Sequence, residues 1–260
     1  MGQLLTGQYF QEYLSLLDVK LDSKLKDIEV KEWSAENFRF ATAVSVMSSS
    51  RIEGETLEVD SYLKHKILNI EYLPNLTERP NDLYEAYEFA RDHEITRENF
   101  LKAHAIATEH LLPPLLRGTI RTGNMIVMDQ QTQRIQYEAA NAKIVNREVD
   151  AFWEEFDQLV KLSLSTEEVF YYAALIHLIF VKIHPFNDGN GRIARLLEKW
   201  FLASHLGKKA WYIPSEQHYY KHLKQYYENL AGVGFFYEDL KYQQAMQFLL
   251  MLPNCFLEEG

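Results

Sequence analysis

Cysteine is almost missing from this chain of 260 residues. The single Cys255 excludes an intramolecular disulfide and any metal site built from cysteines. Positive charge is short as well: 27 Lys and Arg stand against 37 Asp and Glu, a net charge of -10, which argues against nonspecific nucleic-acid binding. No apolar run reaches transmembrane length and no signal peptide is present, so a cytoplasmic protein with no membrane partner is the expectation. The 7 prolines and 11 glycines are too scattered to make linkers, and neither repeats nor low-complexity tracts occur. The chain is 47% hydrophobic, enough to bury a substantial core.

Helical spacing dominates what remains. Gln8 to about Leu25 reads as one amphipathic helix with Tyr9, Phe10, Tyr13, Leu14 and Leu17 on its buried stripe. Ser34 is placed to cap a second, carrying Phe38, Phe40, Ala41, Val44 and Met47 inward. After a mixed helical segment from Leu57 to Ile70, Glu71 to Pro80 reads as turns, with Asn81 or Asp82 capping a helix from Leu83 to about Asp92. Thr96 opens the next, where His104 sits among apolar neighbours as a hydrogen-bonded core histidine. Between Gly118 and Glu138 the pattern changes: Met125 to Met128 and Arg134 to Tyr137, joined by the polar Asp129 to Gln133, predict a β-hairpin. Such an edge offers unpaired backbone groups to another chain.

The stretch that organises the rest is His184 to Arg195, HPFNDGNGRIAR. Ser165 and Glu168 form a capping box that opens the helix before it, apolar nearly all round and ended by Pro185. A second helix, from Gly191 or Arg192 to about His205, follows it, with Gly207 as its C-terminal cap. The loop therefore lies at a helix N-terminus, where free N–H groups and the macrodipole favour anions. Gly189 and Gly191 let the backbone take unusual φ values, so that Asn190 and its neighbours can turn N–H groups toward a phosphate. Arg192 and Arg195 share a helix face and can fork onto phosphate oxygens. Asp188 is a hard oxygen ligand suited to Mg²⁺ shared with a polyphosphate, and His184 is a general base near neutral pH. Asn187 to Gly191 alone would be an ordinary turn. That account leaves the histidine, the carboxylate and the two arginines unexplained.

These residues resemble the Fic motif, H-x-F-x-[DE]-G-N-G-R-x-x-R, at every specified position. The resemblance implies a mainly α fold: a Fic-type helical bundle with a single β-hairpin flap, divided as an N-terminal helical extension over 1–56 and a catalytic core with C-terminal helices over 57–260, in one compact unit. It implies transfer of AMP from ATP, with Mg²⁺, to a Ser, Thr or Tyr hydroxyl of a protein target or of the chain itself, releasing pyrophosphate. The target would dock on the flap near 118–138, and GTIR at Gly118 to Arg121 is similar to the sequence leading into that flap. Gly189 and Gly191 favour AMP transfer over the kinase-like chemistry of relatives that depart from the two-glycine loop. Tyr226, Tyr227 and Leu230 fit a Y-Y-x-x-L pattern associated with the nucleotide-base pocket, for which Tyr219 and Tyr220 compete. Homo-oligomerisation is left open.

Ser49 to Glu55, SSRIEGE, would by itself be a polar helix end before a glycine. Beside a Fic motif it resembles the family's inhibitory pattern, [ST]-x-x-x-E-[GN], with Ser49, Glu53 and Gly54 matching, in the class whose inhibitory helix is N-terminal. The resemblance pairs Glu53 with Arg195, removing from the γ-phosphate the arginine it needs. Two rival outputs use the same residues: a hydrolase that removes AMP with Glu53 aligning water, and a nucleotide-responsive binding module without transfer.

Overall fold

The computed structural model describes residues 3–29, 35–128 and 135–257. The chain runs through α1 (Phe10–Leu16), α2 (Leu21–Glu29), α3 (Ala35–Ile52), α4 (Val59–Leu68), α5 (Pro74–Asp92) and α6 (Arg97–Ala107). An antiparallel hairpin follows, β1 (Ile126–Met128) with β2 (Ile135–Glu138), then α7 (Val145–Lys161), α8 (Thr166–Ile183), α9 (Asn190–Leu206), α10 (Ser215–Lys221) and α11 (Leu223–Gly232). Short helical turns close the described chain against α8 and α11. The fold is mainly α, with one hairpin among the described residues, as the sequence predicts.

The interior is organised on α8. Every residue from Val169 to Ile183 except Tyr172 is buried, and only a helix surrounded on all sides can carry so continuous an apolar sequence. Its capping box forms as expected: Glu168 N–H donates to Ser165 Oγ at 3.2 Å and Ser165 N–H to Glu168 Oε2 at 2.7 Å. α9 packs along it, and α3, α5, α6 and α7 pack around the pair. α7 shows the periodicity of a one-sided helix, burying Val145, Val149, Phe152, Phe156 and Leu159.

Several expected boundaries move. The helix from Gln8 to Leu25 is two helices: Leu17 is extended, and Val19 and Leu21 are buried beyond the break. Phe40 is 52% exposed, whereas Phe38, two residues earlier, enters the core. Of the turns expected over Glu71 to Pro80, Glu71 to Leu73 are non-helical, whereas Pro74 to Pro80 are the first part of α5. Pro74 takes the first helical position, where its missing N–H costs nothing, and Pro80 sits inside the helix because Thr77, Pro80, Leu83 and Tyr84 are buried together. Asp82 is no cap: it is buried and accepts from His110 N–H at 2.7 Å and Nδ1 at 2.8 Å. Ser34, Arg134 and the Asp129 to Gln133 connection lie outside the described residues.

Candidate active site

α8 ends where the loop begins. His184 takes the left-handed conformation at φ 52°, its N–H closing on Phe180 O at 2.9 Å, which turns the chain out of the helix and into Pro185. Arg121, buried on the strand-ward approach to the hairpin, donates Nε to His184 O at 2.7 Å and further N–H groups to Gly123, Ala140 and Ile183 carbonyls. One guanidinium thereby ties the histidine backbone to both ends of the hairpin. The His184 ring lies with Nδ1 3.1 Å from Val181 O; with the proton on Nδ1 donated there, Nε2 keeps its lone pair. Burial pushes the imidazole down to about 4, although its bond to Val181 opposes that shift, so the ring is neutral at physiological pH.

The loop is braced from within and from α6. Asn190 uses its side chain on the loop itself, accepting from Phe186 N–H and donating to Phe186 O, both at 2.9 Å. His104, fully buried, accepts from Gly118 N–H at 2.8 Å, donates Nε2–H to Asp188 O at 3.0 Å, and stacks on Phe186 with ring centroids 3.6 Å apart. Gly189 is at φ 78°, and a Cβ there would also meet Thr108. Gly191 departs from expectation. It lies inside α9, which starts at Asn190, and has no unusual φ; its need is space, because a Cβ would overlap Glu53 Oε1. Asp188 is exposed, with Oδ1 accepting from Gly189 N–H at 2.7 Å.

Helix α3 delivers Ser49 and Glu53 onto Arg195. The Arg195 guanidinium, 1% exposed, donates Nε to Ser49 Oγ at 2.8 Å, Nη2 to Ser49 O at 3.2 Å and to Glu53 Oε1 at 2.6 Å, and Nη1 to Tyr226 Oη at 3.2 Å. Burial works against the Glu53 charge, but Arg195 and Arg192 overcome it and hold the carboxyl below its ordinary pKa. Gly54, at φ 89°, turns the chain so that Glu55 reaches Arg192 Nη2 at 3.3 Å. Arg192 Nε and Nη1 are buried with no partner among the described residues.

Of the two tyrosines assigned to a base pocket, Tyr226 is 1% exposed and bonds Arg195 and His177, leaving only the half-buried ring of Tyr227 accessible; Tyr227 Oη donates to Ile52 O at 3.1 Å. Behind Tyr226 a buried chain continues through His177 to Glu198, 2.7 Å from His177 Nδ1. Sequence reasoning assigned no role to Arg121, Glu55 or this chain. The sequence marks His104 as a core histidine but not its hold on the loop. Only the charge alternation around Gly54 carried a signal for Glu55; the others become visible when distant segments meet.

Residues 94–202, from the start of α6 through most of α9, match the model of the Fic/DOC family. The chain carries a Fic/DOC domain. A Fic family protein from Desulfovibrio desulfuricans is similar over 98% of this chain and 72% of its own, with a TM-score of 0.71 at 20% identity. A Fic domain containing signaling protein from Bacteroides thetaiotaomicron covers 92% of this chain and 91% of its own, with a TM-score of 0.65 at 18% identity. Fic-1 from C. elegans covers 95% and 69%, with a TM-score of 0.63 at 16% identity. At such identities the likeness speaks for the fold. No curated protein matches. The Fic domain family is known for AMP transfer and related transfers, and acts on protein targets. Ser49 to Gly54 and Tyr226 lie outside the matched residues, so their roles rest on the contacts above. No helix among the described residues is long and apolar enough to cross a membrane.

Proposed function

We infer that this chain transfers AMP from ATP to a protein hydroxyl and that Glu53 restrains the transfer. The observation that carries the reading is the pairing of a partly exposed Glu53 with the buried Arg195 directly over the start of α9, beside a neutral His184 whose Nε2 has no partner among the described residues. His184 would accept the proton of a Ser, Thr or Tyr hydroxyl as its oxygen attacks the α-phosphorus and pyrophosphate leaves. Free N–H groups at the first turn of α9, from Asn190 to Arg192, favour the phosphate charge. The orphaned Nε and Nη1 of Arg192 fit an anionic ligand, since a buried donor without a partner is costly.

The donor set also fits a magnesium nucleotide. Among the described residues no cluster of three or more His, Cys, Asp or Glu could hold a metal alone; Asp188, exposed and carboxylate-bearing, suits an ion that keeps most of its ligands as phosphate oxygens and water. Mg²⁺ bound there would neutralise phosphate charge. Arg195 would take the γ-phosphate after Glu53 lets go. While Glu53 holds it, the carboxylate both occupies that fork and repels a triphosphate.

The Glu53→Gly variant should label itself or a target from ATP carrying label on the α-phosphate. The expected rise over wild type is about tenfold or more, the factor that corresponds to ~1.4 kcal/mol, with His184→Ala as the blank. Equal labelling in wild type and Glu53→Gly removes the restraint from the account. Label arriving only from the γ-phosphate assigns kinase-like transfer. Glu53-dependent loss of AMP from a pre-modified target assigns hydrolysis, and nucleotide binding without any label leaves a binding module.

A further inference from the structure

We propose that Glu55, shared between Arg192 and Arg79, is a positioning residue that holds Arg192 ready for phosphate. Two carboxylates of one segment then act in opposite directions, Glu53 against the nucleotide and Glu55 in its favour. The inference rests on the reading of Arg192 as a phosphate ligand.

Glu55 lies two residues past Glu53, across the positive-φ turn at Gly54, and its side chain is 12% exposed. A single oxygen, Oε1, sits 3.3 Å from Arg192 Nη2 and 3.4 Å from Arg79 Nη1. Arg79 comes from α5 and is tethered in turn by Nε to His110 O at 3.4 Å, so the carboxylate is anchored to a helix that is not part of the phosphate loop. On the other side, Arg195 has its Nε, Nη1 and Nη2 all engaged, whereas Glu55 engages only Nη2 of Arg192, whose Nε and Nη1 have no partner among the described residues. A contact that takes one nitrogen of the guanidinium fixes its orientation without spending its capacity for a phosphate.

The charges point the same way. Glu53 and Arg195 cancel. Arg79, Glu55 and Arg192 together keep one net positive charge, so the second carboxylate does not turn the site against an anion. Without Glu55 the Arg192 side chain would have to be ordered by the nucleotide itself, at a cost in side-chain entropy charged to binding.

The test is calorimetric titration of MgATP into the Glu53→Gly/His184→Ala double variant, which opens the site and blocks transfer. Adding Glu55→Gln should weaken binding about tenfold. Arg79→Ala should weaken it similarly, and Arg79→Lys should restore part of the loss by keeping a cation for Glu55. In Glu53→Gly with His184 intact, Glu55→Gln should raise the KM for ATP and leave kcat unchanged, a split that general loss of structure does not produce. Tighter binding or faster labelling with Glu55→Gln makes Glu55 a second inhibitor and overturns the proposal; unchanged affinity in both the Glu55 and Arg79 variants overturns it too. If the parent double variant binds no MgATP, the transferase reading itself fails. If the parent binds and Glu55→Gln binds equally, only the positioning role of Glu55 fails.

Discussion

In the proposed transfer His184 carries the chemistry at the residue scale, and its surroundings set the pH at which it would act. An unperturbed imidazole titrates near 6.5; here burial brings it down to about 4, and Arg121 pushes in the same direction. Protonation of His184 therefore requires acid, and above that point the ring is a base. The acid limb of kcat/KM in the Glu53→Gly enzyme should lie near pH 4, with no histidine limb between about pH 5 and pH 8. Glu53 raises the His184 pKa slightly, so its removal strengthens the expectation. A pH–rate profile that bends near 6.5 would show a histidine in contact with water and sink this account. The residue types at the loop were legible in the sequence because the motif sets them at fixed offsets within one short stretch. Their partners were not, since Arg121, Glu55 and Tyr226 come from segments 31 to 137 positions away from the loop residues they hold.

At the scale of elements, the site is a junction of helix ends. α8 stops at a left-handed residue, α9 starts just past Gly189, α3 ends one residue before Glu53, and α6 props the loop through His104. Local signals announced most of these boundaries: the Ser165 capping box, the Thr96 cap and Gly207 are all where the sequence places them, because each satisfies backbone groups within a few residues. The failures have the opposite character. The break after Leu16 and the helical Pro80 are decided by burial against distant elements, which overrides local preference. His104 offers a test of the junction. It is buried with its pKa depressed to about 4, and replacement by Leu leaves Gly118 N–H and Asp188 O without their partner. Two such losses at ~1–3 kcal/mol each should lower the thermal midpoint by about 5–15 °C in a domain of this size. The pH dependence has a definite sign. A depressed pKa means the neutral form is favoured on folding, so the stabilisation is complete above about 6.5 and is lost as pH falls toward 4. Wild type should therefore lose stability between those values more steeply than His104→Leu. Identical midpoints across that range would mean that His104 does not brace the loop.

For the whole molecule, the question is whether the segment that brings Glu53 to Arg195 is an appendage or part of the core. α3 packs against α4, α5, α9 and α10. Phe38, Val46, Met47 and Ile52 are buried with Leu4, Leu5, Tyr13 and Leu21 in the same continuous cluster as α8 and α9. The helix also supplies polar partners to two buried cations: Ser49 to Arg195, and Ser45 to Lys199 Nζ at 3.0 Å, where Glu216 completes the pair. If Glu53 restrains transfer as proposed, relief by undocking α3 would expose all of this. Half a dozen such side chains at ~1.5 kcal/mol each amount to ~9 kcal/mol, comparable with the ~5–15 kcal/mol that holds an ordinary domain together, before counting two cations left with fewer partners. Glu53, by contrast, is 26% exposed and can leave Arg195 by rotation of its side chain while the helix stays. Activation should accordingly be separable from truncation. Glu53→Gly should keep the thermal midpoint within a few degrees of wild type and gain labelling activity, whereas a chain beginning at residue 57 should show no cooperative melting and no activity. A truncated chain that melts cooperatively and labels as well as Glu53→Gly would make residues 1–56 a detachable cap, and would move the switch from one side chain to a whole element.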